Sequence, residues 1–160
     1  MRIAIINILM IICVLYADNS LSTCTVEQEA EAEEQSTAIE SWKVLHDFFK
    51  KNIECIDDAS LSEGVGDSIV RILINDWDDI ALLQNMANTD QDFRAFILRH
   101  IDELMTPDQS RKIDKLAHQL CPKNAQYICK DIKGQINRLN QRIKRENKAR
   151  NLTAHDIYII

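Results

Sequence analysis

Three glycines and two prolines in 160 residues leave the chain with few of the usual structure breakers. No stretch alternates apolar and polar residues over a strand's length. Together these absences exclude a turn-rich all-β design and favour helices joined by short connections. Aromatics are only 6% of the chain. There is no apolar run of about 20 residues, the length a membrane-crossing helix needs. A glycine-rich phosphate loop and a nucleophile elbow are also missing. Gly64-Val65-Gly66-Asp67-Ser68 has two glycines but neither the third glycine nor the preceding strand of a nucleotide site.

What is present begins at the N-terminus. Arg2 precedes a fourteen-residue run, 3–16, that is apolar except for Asn7, and Ala17 follows. Charge, apolar core and small residue are the order of a secretory signal peptide, so cleavage is expected near Ala17. The rival reading is a lipoprotein signal ending in Leu21-Ser22-Thr23-Cys24. Thr is a poor residue before a lipidated cysteine, and Asp18 and Asn19 break the apolar run. An exported chain, periplasmic or secreted, is the expectation.

Export places Cys24, Cys55, Cys121 and Cys129 in an oxidising compartment; Cys13 would leave with the signal. Four cysteines allow three pairings. The local pair Cys121 with Cys129, leaving Cys24 for Cys55, is preferred. The rivals would tie the first long helix to the last, and geometry decides among them.

Charge is divided along the chain. Residues 18–105 hold 20 Asp and Glu against 6 Lys and Arg, whereas 106–160 hold 5 against 12. The halves would neutralise one another in one fold, or present an acidic surface to a basic partner. The basic end alone suits nucleic acid or anionic lipid, and export argues against nucleic acid.

The expected organisation is a signal at 1–17, an acidic leader at 18–35, a helical domain at 36–145 and a basic then apolar tail at 146–160. The leader has no apolar face, which suggests a solvated helix extension or a disordered segment. The first core helix should begin near Ser36, with Ile39, Trp42, Leu45, Phe49 and Ile53 as its stripe. Residues 57–66 read as a loop holding Gly64 and Gly66. Asp67 or Ser68 would cap a short helix bearing Ile69, Val70, Leu73 and Ile74. Ile80, Leu83 and Met86 form another short stripe, and Asn88-Thr89-Asp90 reads as a stop and start. Phe93, Phe96, Ile97, Ile101 and Leu104 define an amphipathic helix. Thr106-Pro107-Asp108-Gln109 is a capping box with proline at the first helical position. Its helix carries Ile113, Leu116, Ala117 and Leu120 and ends at Cys121-Pro122. Ala125, Cys129, Ile132, Ile136, Leu139 and Ile143, spaced 4, 3, 4, 3, 4, make a heptad seam. That seam suits a bundle helix, or a homo-oligomer formed through the last helix. The expected fold is therefore an all-α compact bundle of about five to six helices with disulfides.

Chemistry-bearing clusters are sparse. His100 and Glu103, and His118 and Cys121, have one-face helical spacing but lack further ligands at structural-zinc spacing, so no metal and no cofactor is expected. Asp76, Asp78 and Asp79 around Trp77 suggest calcium. An EF-hand counted from Asp76 would put Ala81 and Ala87 where glycine and glutamate are needed. The functional alternative is a contact patch for a basic cleft, with Arg99 and His100 as further contact residues. A core role for Trp77 is the competing reading. His100 follows Arg99 on what reads as a polar helix edge. Asn151-Leu152-Thr153 fits a glycosylation sequon.

Residues 55–131 resemble a small exported helical domain of bacteria. The resemblance rests on Asp67-Ser68-Ile69-Val70, on Trp77, on the run from Asp92-Phe93-Arg94-Ala95-Phe96 through Ile97-Leu98-Arg99-His100-Ile101-Asp102, and on Cys121-Pro122 with Cys129. It covers about half of the chain. Such domains are similar in size, export and helical character to the periplasmic immunity proteins of type VI secretion systems, which plug the cleft of a peptidoglycan-cutting toxin. What the resemblance implies is a non-enzymatic binder whose partner is another protein, a basic-surfaced toxin in its sharpest form. No inhibitory residue is carried over. The other expectations are a small exported enzyme using His100 and nearby carboxylates such as Asp102, and a secreted helical effector.

Overall fold

A computed structural model of the protein describes residues 24–56, 59–102 and 104–156, with backbone alone for 59, 60, 149 and 151–156. Residues 1–23, which include the expected signal peptide, Asp57, Asp58, Glu103, the sequon side chains and residues 157–160 lie outside that description. Among the described residues there are seven α-helices, two short 3-10 turns and no strand. The helices are α1 (Val26–Ser36), α2 (Trp42–Lys51), α3 (Ala59–Asn75), α4 (Ile80–Thr89), α5 (Gln91–Arg99), α6 (Pro107–Gln119) and α7 (Gln126–Asp156). The 3-10 turns are Trp77–Asp79, before α4, and Lys123–Ala125, before α7. The fold is all-α, one or two helices richer than the five to six expected.

The extra helix is the acidic leader. α1 starts in a capping box: Thr25 Oγ1 accepts from Gln28 N at 3.3 Å, and Gln28 Oε1 accepts from Thr25 N at 2.9 Å. Its burial against α3 comes through small residues, Ala32 and Ser36, rather than an apolar stripe. Ser36 therefore ends a helix instead of beginning one. The first core helix is α2, capped by Ser41, whose Oγ accepts from Val44 N. Ile39 is buried in the connection between α1 and α2, and Ile53 is exposed beyond α2. Arg71 of α3 holds that connection by donating to Ile39 O at 2.8 Å.

The expected loop at 57–66 is in large part helix. Gly64 and Gly66 sit inside α3, and Asp67 and Ser68 lie mid-helix rather than at a cap. The physical reason is a close helix crossing. A Cβ on Gly64 would stand 2.5 Å from Ser36 Oγ, so a side chain here would collide with α1. Ser68 completes the junction by donating to Ser36 O at 2.8 Å. Here glycine permits contact between helices rather than a turn.

The remaining boundaries follow local chemistry. Asp90 separates α4 from α5, and its Oδ1 accepts from Phe93 N at 2.9 Å. Thr106 and Gln109 form both bonds of the expected capping box, at 3.3 and 2.7 Å. The rings of Phe49, Phe93 and Phe96 join α2 to α5, with Phe49 centred 5.5 Å and 4.9 Å from the other two. Arg94 donates through Nε to Asp131 Oδ2 at 2.9 Å, tying α5 to α7. The heptad seam of α7 is buried from Ala125 through Leu139, with Ile143 at its exposed end. α7 packs on α4, α5 and α6, so the surface that would have formed a homo-oligomer is used within the bundle.

Two disulfides close the ends, Cys24–Cys55 and Cys121–Cys129. The first pins the start of α1 to the turn after α2, and the second pins the end of α6 to α7. No helix among the described residues is long and apolar enough to cross a membrane.

Candidate functional site

The proposed contact residues do not form one patch. Asp76, Asp78 and Asp79 stand exposed just past the C-terminal end of α3. His100 instead meets the first turn of α3, where Ser62 Oγ lies 3.1 Å from its Nε2. Fourteen residues at about 1.5 Å each separate Ser62 from Asp76, so the two groups lie roughly 20 Å apart. Arg99 and His100 belong to the end of α5, away from the carboxylates.

Trp77 is not a presented aromatic. It is 6% exposed, and its Nε1 donates to Leu120 O at 3.0 Å. The indole is an anchor between the 3-10 turn and the end of α6. That geometry explains its tryptophan: a buried ring with one polar atom needs an acceptor, and the last turn of a helix leaves carbonyls free.

His100 is likewise internal, 4% exposed, rather than on a polar edge. Phe96 O lies 2.9 Å from its Nδ1, and the Phe96 ring packs edge-on with centroids 4.5 Å apart. With Nδ1 donating to the carbonyl, Nε2 is left to accept the Ser62 hydroxyl proton. This serine–histidine contact joins residues 38 apart in sequence, and local spacing gave no sign of it. The adjoining cavity, bordered by Gly66, Val70, His100 and Asp102, measures about 10 Å³, room for at most a single water.

A second histidine is also paired. His46 Nε2 lies 2.9 Å from Asp90 Oδ2, and its ring lies on Phe93 at 4.6 Å. The Asp90 carboxyl is held below the ordinary carboxylate range, first by the Phe93 N–H and then, against the opposing effect of burial, by His46. His118 sits 3.5 Å from Asp114 on α6, and Cys121 is oxidised, so their spacing brings no thiolate to a metal. Among the described residues no group of three or more His, Cys, Asp or Glu is placed to hold a metal ion.

The carboxylates gain different neighbours from those expected. The Trp77–Leu120 bond brings the end of α6 beside them, and Leu120 is 61% exposed. Gln84 of α4 accepts from Ile128 N at 2.8 Å, which brings the first turn of α7 to the same end of the molecule. Tyr127, one residue earlier, is 75% exposed. Leu82 on α4 is also exposed. Three carboxylates, two aliphatics and a tyrosine thus share the end braced by Cys121–Cys129, with exposed Lys123 and Lys130 at its margin. Neither Leu120 nor Tyr127 stood out in the sequence. Leu120 continues the α6 apolar stripe on paper, and only the helix ending at Gln119 turns it outward.

The fold and its bridges define the class: a disulfide-braced helical bundle. The chain matches no protein-family model, no curated protein and no solved structure.

Proposed function

We propose that the protein is an exported binding protein that engages a basic partner protein through the disulfide-braced end. The observation carrying this reading is the grouping of exposed Asp76, Asp78 and Asp79 with exposed Leu120 and Tyr127. An amphipathic ring and aliphatic side chains supply contact area, while carboxylates steer and select a cationic surface. Disulfide bracing limits the ordering cost on binding. The two disulfides and the signal-like N-terminus support export to the periplasm or cell exterior.

The sharpest form of the proposal is an immunity protein that occupies the cleft of a periplasmic toxin. Its test is survival of cells producing, one at a time, the candidate periplasmic toxins encoded beside this gene, with and without the exported chain. Protection is expected, and Asp76→Asn/Asp78→Asn/Asp79→Asn should weaken toxin binding by 100-fold or more, on the order of 1 kcal/mol per carboxylate. Full protection by that variant at equal abundance would sink the assignment of this surface. Absence of protection by the parent chain would sink the immunity role.

The Ser62–His100 contact favours one second reading, an exported hydrolase with Ser62 as nucleophile and His100 as base. Labelling of Ser62 by a fluorophosphonate probe, lost in His100→Ala, would support it. The confined space beside the pair places it behind the binding reading.

A further inference from the structure

The last helix carries a second surface, which begins one turn beyond Tyr127 of the end proposed to bind a partner. α7 turns Cys129, Ile132, Ile136 and Leu139 into the bundle. At about 100° per residue, the outward side then holds two rows of cations. Lys130, Lys133, Lys144 and Lys148 make one row. Arg138, Arg142 and Arg145 make the other, with Gly134 and Gln141 between the rows. All seven are exposed except Lys133, which is half-buried. From Lys130 to Lys148 the face runs for roughly 27 Å.

Few acids oppose this charge. Within the same span stand only Asp131, already ion-paired with Arg94, and Glu146. The four lysines enter no ion pair among the described residues. Arg138 donates to Gln135 and Arg145 to Gln141 O, which are uncharged groups of their own helix. The strongly acidic α1 packs on α3, whereas α7 packs on α4, α5 and α6.

We infer that this face docks the protein flat on an anionic phospholipid surface. A convex helix with charge in two parallel rows offers no groove to an extended peptide. It does let Lys130, Lys144 and Lys148 of one row and Arg138 and Arg145 of the other meet a plane of phosphates at once, with Lys133 and Arg142 on the flanks. No aromatic residue lies between 130 and 150, and Tyr127 alone borders the face, so it lacks the series of rings on which successive nucleobases would stack. No apolar side chain stands between the rows, so attachment is electrostatic, without insertion, and reversible by salt.

The test is sedimentation of the processed protein with vesicles of phosphatidylglycerol and phosphatidylcholine, beside vesicles of phosphatidylcholine alone. Binding is expected only to the anionic vesicles, falling steeply with added salt. Each lysine near such a surface contributes about fivefold. The combined Lys130→Gln, Lys133→Gln, Lys144→Gln and Lys148→Gln variant should therefore bind about hundreds-fold more weakly. The four matching Lys→Arg changes should restore binding. Circular dichroism melts establish that both variants keep the fold. Equal binding to neutral vesicles, unchanged binding of the Gln variant, or failure of the Arg variant to recover would overturn the inference. Tighter binding to soluble heparin than to anionic vesicles would also overturn it, in favour of a polyanionic polymer.

Discussion

Gly64→Ala tests the crossing of α1 and α3, and its sign is not the one helix propensity gives. Gly64 lies within α3, where replacing glycine by alanine ordinarily stabilises by about 0.8–1.0 kcal/mol. Here the new methyl would stand 2.5 Å from Ser36 Oγ. Ser36 is fully buried, and its hydroxyl donates to Glu33 O at 2.7 Å. Relief requires rotating that hydroxyl off its acceptor or separating α1 from α3. Overpacking of this kind costs roughly 1–3 kcal/mol, so the net effect should be destabilisation by about 1 kcal/mol. Removing the hydroxyl reverses the sign. In a Ser36→Ala background the nearest atom becomes the residue-36 Cβ at 3.6 Å, an ordinary contact, and the propensity gain of about 1 kcal/mol returns. The two substitutions should thus couple by roughly 2 kcal/mol. Gly66→Ala and Gly134→Ala are the controls. Their added methyls would meet His100 Cδ2 at 3.7 Å and the Arg138 guanidinium at 3.6 Å, so both should stabilise. Urea unfolding followed by circular dichroism, with disulfides intact, reads the parent and all five variants. Stabilisation by Gly64→Ala alone, equal to that in the Ser36→Ala background, would refute the close crossing.

The two disulfides should differ in worth. Chain entropy assigns roughly 3.7 kcal/mol to the bridge across 31 residues and roughly 2.5 kcal/mol to the one across 8. Paired Cys→Ser variants should therefore rank in that order in thermal melts, and the reverse order would show that native contacts, not loop length, decide. Asp90 should make stability depend on acid. Its folded pKa is depressed, so its contribution is present above the unfolded value of about 3.9 and is lost as pH falls through the lower folded value. Asp90→Ala should cost about 1 kcal/mol at neutral pH. That gap to the parent should close in strong acid; a gap that stays constant would remove Asp90 as the source.

Sequence carried most where one residue decides the local structure. Thr106 with Gln109 and Asp90 with Phe93 N–H are contacts made within one helical turn, so spacing alone reveals them. The seam of α7 was legible for the same reason, since burial of every third or fourth residue is a property of one helix. What that seam packs against is not: contacts with α4, α5 and α6 bury it within the bundle. Thr25-x-x-Gln28 has the same form as the box at Thr106 and marks the start of α1, but the glutamates after it leave that helix without an apolar stripe. Gly64 lies in a helix and not in the expected loop: a glycine that permits a helix crossing has the same letter as one that permits a turn. Trp77, His100 and Leu120 depend on partners 38 to 43 residues away, and no local pattern contains that information.

The same separation bears on function. A contact patch inferred from Asp76-Trp77-Asp78-Asp79 treats neighbours in sequence as neighbours on the surface. The 3-10 turn sends the indole inward and leaves the carboxylates outside, so the charge remains and the aromatic does not. Tyr127 supplies the missing ring from 50 residues further along, because Gln84 draws the start of α7 to the same end. The cations of α7, by contrast, belong to one straight helix and keep as a face what they were as a stretch. The acidic end proposed for a partner and the basic face proposed for lipid then meet only at the start of α7, where Tyr127 and Lys130 are one turn apart. A variant that neutralises either should leave the other's binding unchanged. Loss of both from a single set of substitutions would mean that they are one surface.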